Sequence, residues 1–193
     1  MAWAILSSVI GAVLLVAGVP KVGDRARMAR VVRGYKLLPD AMAAVVGAVL
    51  PWAEIVLGVV LILGLAPAIG GALATALFAA FFTGLTVNLL RGRVDLDCGC
   101  FAFDSGKDEV EHIGWGHSAR AGAFMAASAA VVVTPSLSAL DRLAGAGIGL
   151  FAVGIVCVGL YARSVMSFGR RPIDDYLSNA AIEMRAISTI SRY

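Results

Sequence analysis

Cys98 and Cys100 flank a single glycine, and His112 and His117 follow shortly after; together they make up two of the chain's three cysteines and both of its histidines. All four lie in one polar stretch, 91–120, between long apolar runs. A disulfide across Gly99 would close a very small ring, and closing so short a loop gains little entropy, so such a bond is a poor structural staple. Gly99 relaxes the backbone, and strain in a tight ring favours reduction, which suits a dithiol that cycles between oxidised and reduced states. Asp95 and Asp97 oppose formation of the thiolate, and Arg91 and Arg93 offset them in part.

Two other readings of the same residues stay open. Sulfur and imidazole together suit zinc or copper, and Cys98, Cys100, His112 and His117 would supply four ligands. Cys-x-Cys is shorter than the usual spacing in structural zinc sites, and His112 sits in an acidic, solvated stretch, so no metal is assigned. The plain alternative is a folded-back loop whose small residues and imidazoles simply pack.

The elements that must position this stretch are set by composition. The chain has 193 residues, 60% of them hydrophobic and 15% charged, and a mean hydropathy of +0.87, which places it among membrane proteins. A bilayer core of roughly 30 Å takes about 20 apolar residues per helix. Five runs approach that length: 3–20, 41–65, 68–90, the shorter 119–133, and 143–161. Long continuous runs without alternation are helices rather than barrel strands, so the expected fold is an all-α, polytopic membrane bundle. The expected organisation is a transmembrane bundle over 1–163, carrying an interfacial helix (24–38) and the Cys-Gly-Cys loop (91–120), followed by an amphipathic tail, 164–193. The first run lacks a basic start and a good cleavage site, so it is read as retained. Dense Gly and Ala through the runs let helix backbones approach closely, within the bundle or against partner subunits.

The net charge of +3 matters less than its placement, which points to a membrane surface and not to nucleic acid. With five crossings, only Arg142 of the 16 Lys and Arg falls on the face opposite the cysteines. The positive-inside rule makes the cysteine-bearing face cytoplasmic in a multi-pass inner (plasma) membrane protein. A cytoplasmic pair would be held reduced, whereas an extracytoplasmic pair could be oxidised and its oxidation passed on.

Glu54 lies near the middle of the second run, where an ionised carboxylate costs roughly 2.5 to 3.5 kcal/mol, so it must be protonated, paired or beside water. It could exchange protons or contact a quinone head group, with Asn88 as its companion in such a cofactor site; the plain alternative is an interhelical hydrogen bond to Asn88 or a threonine. Pro51, a turn earlier, frees a carbonyl nearby. Cys157, alone in an apolar run, reads as packing. Met28, Val31, Val32, Tyr35 and Leu38 recur at helical spacing among Arg and Lys, the pattern of a helix lying in the lipid interface. From Pro172, an apolar stripe through Ile173, Leu177, Ala180, Met184 and Ile187 suits a helix docking on a partner or lying on the membrane. No phosphate-binding loop or hydrolase triad is present, which argues against ATP-driven or hydrolytic activity.

Tyr35-Lys36-Leu37-Leu38-Pro39, Leu50-Pro51-Trp52-Ala53-Glu54, Asn88-Leu89-Leu90-Arg91-Gly92-Arg93 and Asp97-Cys98-Gly99-Cys100-Phe101, with Ile113, Trp115 and Arg120 after them, resemble the MauE family, which is related to DoxX-type redox membrane proteins. The resemblance extends over roughly 16–133. It implies a four-helix core, to which this chain adds a fifth span and a basic tail, and Ala102 stands where the family tends to have glycine. It also implies that Cys98 and Cys100 are a dithiol that helps form disulfides in a partner, alongside a thioredoxin-like protein, during methylamine dehydrogenase maturation. That role expects the dithiol outside the cytoplasm, opposite to the charge count. The other functional reading is a non-catalytic accessory subunit of a larger membrane assembly, for example an Mce-type lipid importer.

Overall fold

Runs of apolar and small residues too long for a soluble helix fold as α-helices, because a helix satisfies every backbone group internally and so can cross hydrocarbon. A computed structural model describes residues 1–96, 113–133 and 138–167, with side chains described as far as 163. Cys98, Cys100 and His112, and the tail over 168–193 with its apolar stripe, lie outside the described residues.

Among the described residues all regular structure is helical: α1 (Ala2–Gly18), a 3₁₀ turn (Val19–Lys21), α2 (Arg25–Gly34), α3 (Asp40–Leu63), α4 (Pro67–Leu90), α5 (Trp115–Val132) and α6 (Ala139–Ser167). Four stretches, 2–21, 40–63, 67–90 and 139–163, are long and apolar enough to cross a membrane. Four of the five expected spans therefore hold, with ends shifted by a few residues. The chain is a multi-pass membrane protein.

α5 is not among those four, yet its packing makes it a fifth traverse. It runs antiparallel to α4: a Cβ at Gly71 would meet the Val132 nitrogen at 3.0 Å and one at Gly122 the Phe82 ring at 3.3 Å, while the Thr86 and Ser118 hydroxyls hydrogen-bond at 2.7 Å. α1 and α3 are antiparallel too, with Gly11 against the Gly58 carbonyl and Gly18 against Glu54. α1 and α6 are parallel, because Ala4 meets Gly145 and Ser8 meets Gly149. Parallel first and last helices require that α5 carry the chain back across.

Small and polar residues face inward and large apolar ones outward, as expected where lipid rather than water is the solvent. On α3, Ala43, Gly47, Pro51, Glu54, Gly58 and Leu61 are buried, whereas Val45, Val49, Trp52, Val56 and Leu63 are exposed. The core clusters around Ile10, Leu14, Leu61, Phe78 and Val131, and Phe78 stacks on Phe124 with centroids 5.3 Å apart. Hydroxyls join helices where no side chain could interdigitate: Ser7 donates to the Leu61 carbonyl at 2.8 Å.

α2 is shorter than the expected 24–38. Asp24 caps it, accepting the Arg27 amide at 2.8 Å, and it stops at Gly34 because Lys36 adopts a left-handed backbone (φ 50) that no helix continues. It does not lie on lipid alone: Met28 is buried, and Gly47 of α3 sits against the backbone at Ala29. A compact unit, Met1–Gly154, ends inside α6; a second unit, Ile155–Tyr193, begins there. In it Cys157 is a half-buried free thiol.

Candidate functional site

Two polar clusters form where the charged residues of the sequence meet the bundle. The first is built on Glu54. It has 1% of its side chain exposed, and its partner is Lys21, 3% exposed, whose Nζ donates to both carboxylate oxygens at 2.7 and 2.9 Å. This corrects two expectations. Glu54 does not bond to Asn88 or a threonine in the arrangement seen, and Lys21 does not belong with the cations of the aqueous connector. The physical reason is the 3₁₀ turn at Val19–Lys21, which continues α1 past Gly18, the residue whose missing side chain lets α1 close on Glu54. The ammonium also lies 5.9 Å from the centroid of the Phe81 ring, within reach of cation–π attraction.

Glu54 opens onto a cavity of about 30 Å³, lined by Val13, Leu14, Ala17, Glu54, Phe78, Phe81, His117, Arg120, Ala121 and Phe124. Its walls are apolar except where Glu54 of α3 faces His117 and Arg120 of α5. His117 closes the first turn of α5, its Nδ1 accepting the Gly114 amide at 3.2 Å. This is the return half of a capping box, and it leaves the ring proton of the neutral form on Nε2.

The second cluster surrounds Arg93. Its Nη1 donates to Asn88 Oδ1 at 2.9 Å and to the Tyr35 carbonyl at 3.3 Å, and its Nη2 to the Gly34 carbonyl at 2.8 Å. The last carbonyls of α2 lack intrahelical donors, and the guanidinium supplies them. Asn88 is buried and orients the arginine, its own amide donating to the Gly84 carbonyl at 3.0 Å. Glu54 and Asn88, expected to share a cofactor site, thus belong to separate clusters with separate partners.

The described residues flanking 97–112 lie beside these clusters. The Ile113 amide donates to the Val94 carbonyl at 2.9 Å, and Leu96 and Ile113 pack with Leu85, Leu89 and Tyr35. The described residues on either side of 97–112 are thereby held together between Arg93 and His117. Among the described residues no group of His, Cys, Asp or Glu is arranged to hold a metal ion; the Cys/His set proposed from sequence falls mostly outside them.

A helical, multi-pass bundle with an ion pair in its interior defines a class of integral membrane protein. The chain belongs to the MauE family: the family model described as "Methylamine utilisation protein MauE" matches residues 1–134. That range covers α1 to α5 and stops short of α6. The chain is similar to the methylamine utilization protein MauE of Methylophilus methylotrophus, with 33% identity over 126 residues, 65% of either chain. It is 29% identical over 151 residues to that of Methylorubrum extorquens, covering 78% of this chain and 79% of the other. The match to the Paracoccus denitrificans protein is 41% over 71 residues, 37% of this chain and 38% of that one. Alignment with the Methylophilus protein spans just under two thirds of its length. No solved structure matches the chain.

Proposed function

We propose that the protein is a thiol/disulfide helper of the methylamine utilisation system, working through Cys98 and Cys100 in the inner (plasma) membrane. The observation that supports this is the match of the MauE family model to residues 1–134, a range that includes Cys98 and Cys100. A partner's thiolate attacks one sulfur of the Cys98–Cys100 disulfide, forming a mixed disulfide and releasing the other sulfur as a thiolate. The partner's second thiol then attacks the mixed disulfide, so the partner leaves oxidised and Cys98 and Cys100 leave reduced. A quinone-class acceptor, or the disulfide of a thioredoxin-like protein, takes the two electrons back.

Replacing Cys98 and Cys100 with serine, one at a time and together, tests the reading in intact cells. Loss of the partner's disulfides, with the membrane protein still present at normal level, is the expected result. Unchanged partner oxidation in the double variant refutes it.

A further inference from the structure

Ionisable groups inside a membrane bundle are costly and usually face a water-filled space or each other. Lys21 and Glu54 face each other, and Glu54 also lines a cavity. If the pair served only to join α1 to α3 it would be redundant, because Gly11 and Gly58 already bring the two backbones into contact and Ser7 bonds to the Leu61 carbonyl. Nor is the pair sealed. Glu54 forms part of the wall of the cavity that His117 and Arg120 face from α5, and that cavity measures about 30 Å³. Such a space exceeds what one water requires. The ligand chemistry it accommodates is that of water and protons.

We propose that Glu54, paired with Lys21 and facing His117 and Arg120 across the cavity, forms a proton-exchange site. The charged and titratable groups facing it are Glu54 from α3 and His117 and Arg120 from α5; α1 supplies only Val13, Leu14 and Ala17, and α4 only the Phe78 and Phe81 rings, while Lys21 of the 3₁₀ turn stands behind Glu54 as its ion-pair partner. Uptake of one proton turns the Glu54 carboxylate into a carboxyl and leaves Lys21 an ammonium; release reverses the step. His117 lies one turn from Ile113, where the chain is pinned to Val94, so its Nε2–H is the group through which a proton passes between the cavity and the polar end. The site stands on this geometry, whereas its use rests on the function proposed above. Oxidation of two thiols by a quinone-class acceptor gives a disulfide and a hydroquinone, with two electrons and two protons passing overall; Glu54 takes up one thiol proton and then releases it, the other thiol proton goes to water, and the reduced quinone takes its two protons from the same water pool.

The test uses the full chain in lipid nanodiscs. Infrared difference spectra between about pH 4 and about pH 9 are expected to show a reversible carboxyl C=O band that shifts in D₂O and is absent from Glu54→Gln; His117→Phe should slow its exchange with deuterium. A Lys21→Met/Glu54→Leu double variant, which replaces the pair by apolar side chains, controls for folding through its melting temperature. The second arm follows Cys98–Cys100 disulfide formation by a soluble benzoquinone, trapped with maleimide. Here the double variant should be slower by at least about tenfold, as when a positioned acid–base group is lost. If no Glu54 band responds to pH and the double variant forms the disulfide at the wild-type rate, the proton site is overturned and the thiol reading survives. If the band responds but the wild-type chain forms no Cys98–Cys100 disulfide, the thiol reading falls and the proton site stands.

Discussion

Arg93 donates to the carbonyl oxygen of Gly34, 59 residues earlier, at 2.8 Å. One guanidinium thereby ties the end of α2 to the chain that runs into residues 97–112. Replacing Arg93 with alanine strands the Gly34 and Tyr35 carbonyls and Asn88 Oδ1, and unfolding in detergent should register a loss of about 1 to 3 kcal/mol. Arg93→Lys should recover only part of this, because an ammonium cannot fork between carbonyls as a guanidinium does. Equal stability of all three proteins would show that the contacts are not maintained.

Breaking the buried pair on one side should be far worse than removing it whole. Lys21→Met leaves a carboxylate in the interior, at an expected cost of about 3 to 5 kcal/mol, whereas Lys21→Met/Glu54→Leu should fall within about 1 kcal/mol of wild type. Both differences are measurable by thermal or SDS unfolding. A double variant as unstable as the single one would mean that the charges themselves hold the fold.

Gly11 and Gly147 should respond in opposite directions to alanine. A Cβ at Gly11 would lie 2.6 Å from the Gly58 carbonyl oxygen, while one at Gly147 meets nothing within 4 Å. Gly11→Ala should cost about 1 to 3 kcal/mol by forcing α1 from α3. Gly147→Ala should be neutral or stabilise by up to about 1 kcal/mol, since alanine loses less backbone entropy in a helix. Melting temperatures of the purified variants decide it.

The parallel packing of α1 on α6 fixes which connections share a face. In a background lacking Cys98, Cys100 and Cys157, Leu65→Cys and Asp95→Cys should react with a membrane-impermeant maleimide from opposite sides. The side on which Asp95→Cys reacts decides between the positive-inside expectation, which is cytoplasmic, and the thiol/disulfide function, which needs the oxidising side. Labelling of both from one side would remove a crossing from the topology.

The helices were legible because apolar length is a first-order signal in lipid, and even α5, whose first turn is polar, was visible from residue 119. Its true start at Trp115 was hidden because His117 and Arg120 read as loop, when one closes the helix N-terminus and both line an internal cavity. Glu54 was legible as a charge needing compensation; its partner was not. Lys21 follows Pro20 and precedes a run of arginines, so in sequence it looks like the first residue of an aqueous connector. Only the close approach at Gly18, a tertiary fact, turns it inward. Asn88 stood out as a polar residue in an apolar helix, but its role depends on Arg93 folding back five residues later to meet it.

The seam between α1 and α6 bears on how the chain is made. Ser8 donates to the Ala146 carbonyl, 138 residues later, at 3.4 Å, and Ala4 lies against Gly145. The first helix to leave the ribosome therefore waits for the last before that stripe is covered. During synthesis the Ser8 hydroxyl can satisfy itself on a carbonyl of its own preceding turn, so the unfinished protein carries no stranded polar group into the lipid. The final helix then docks on a surface that has been ready since the start of translation.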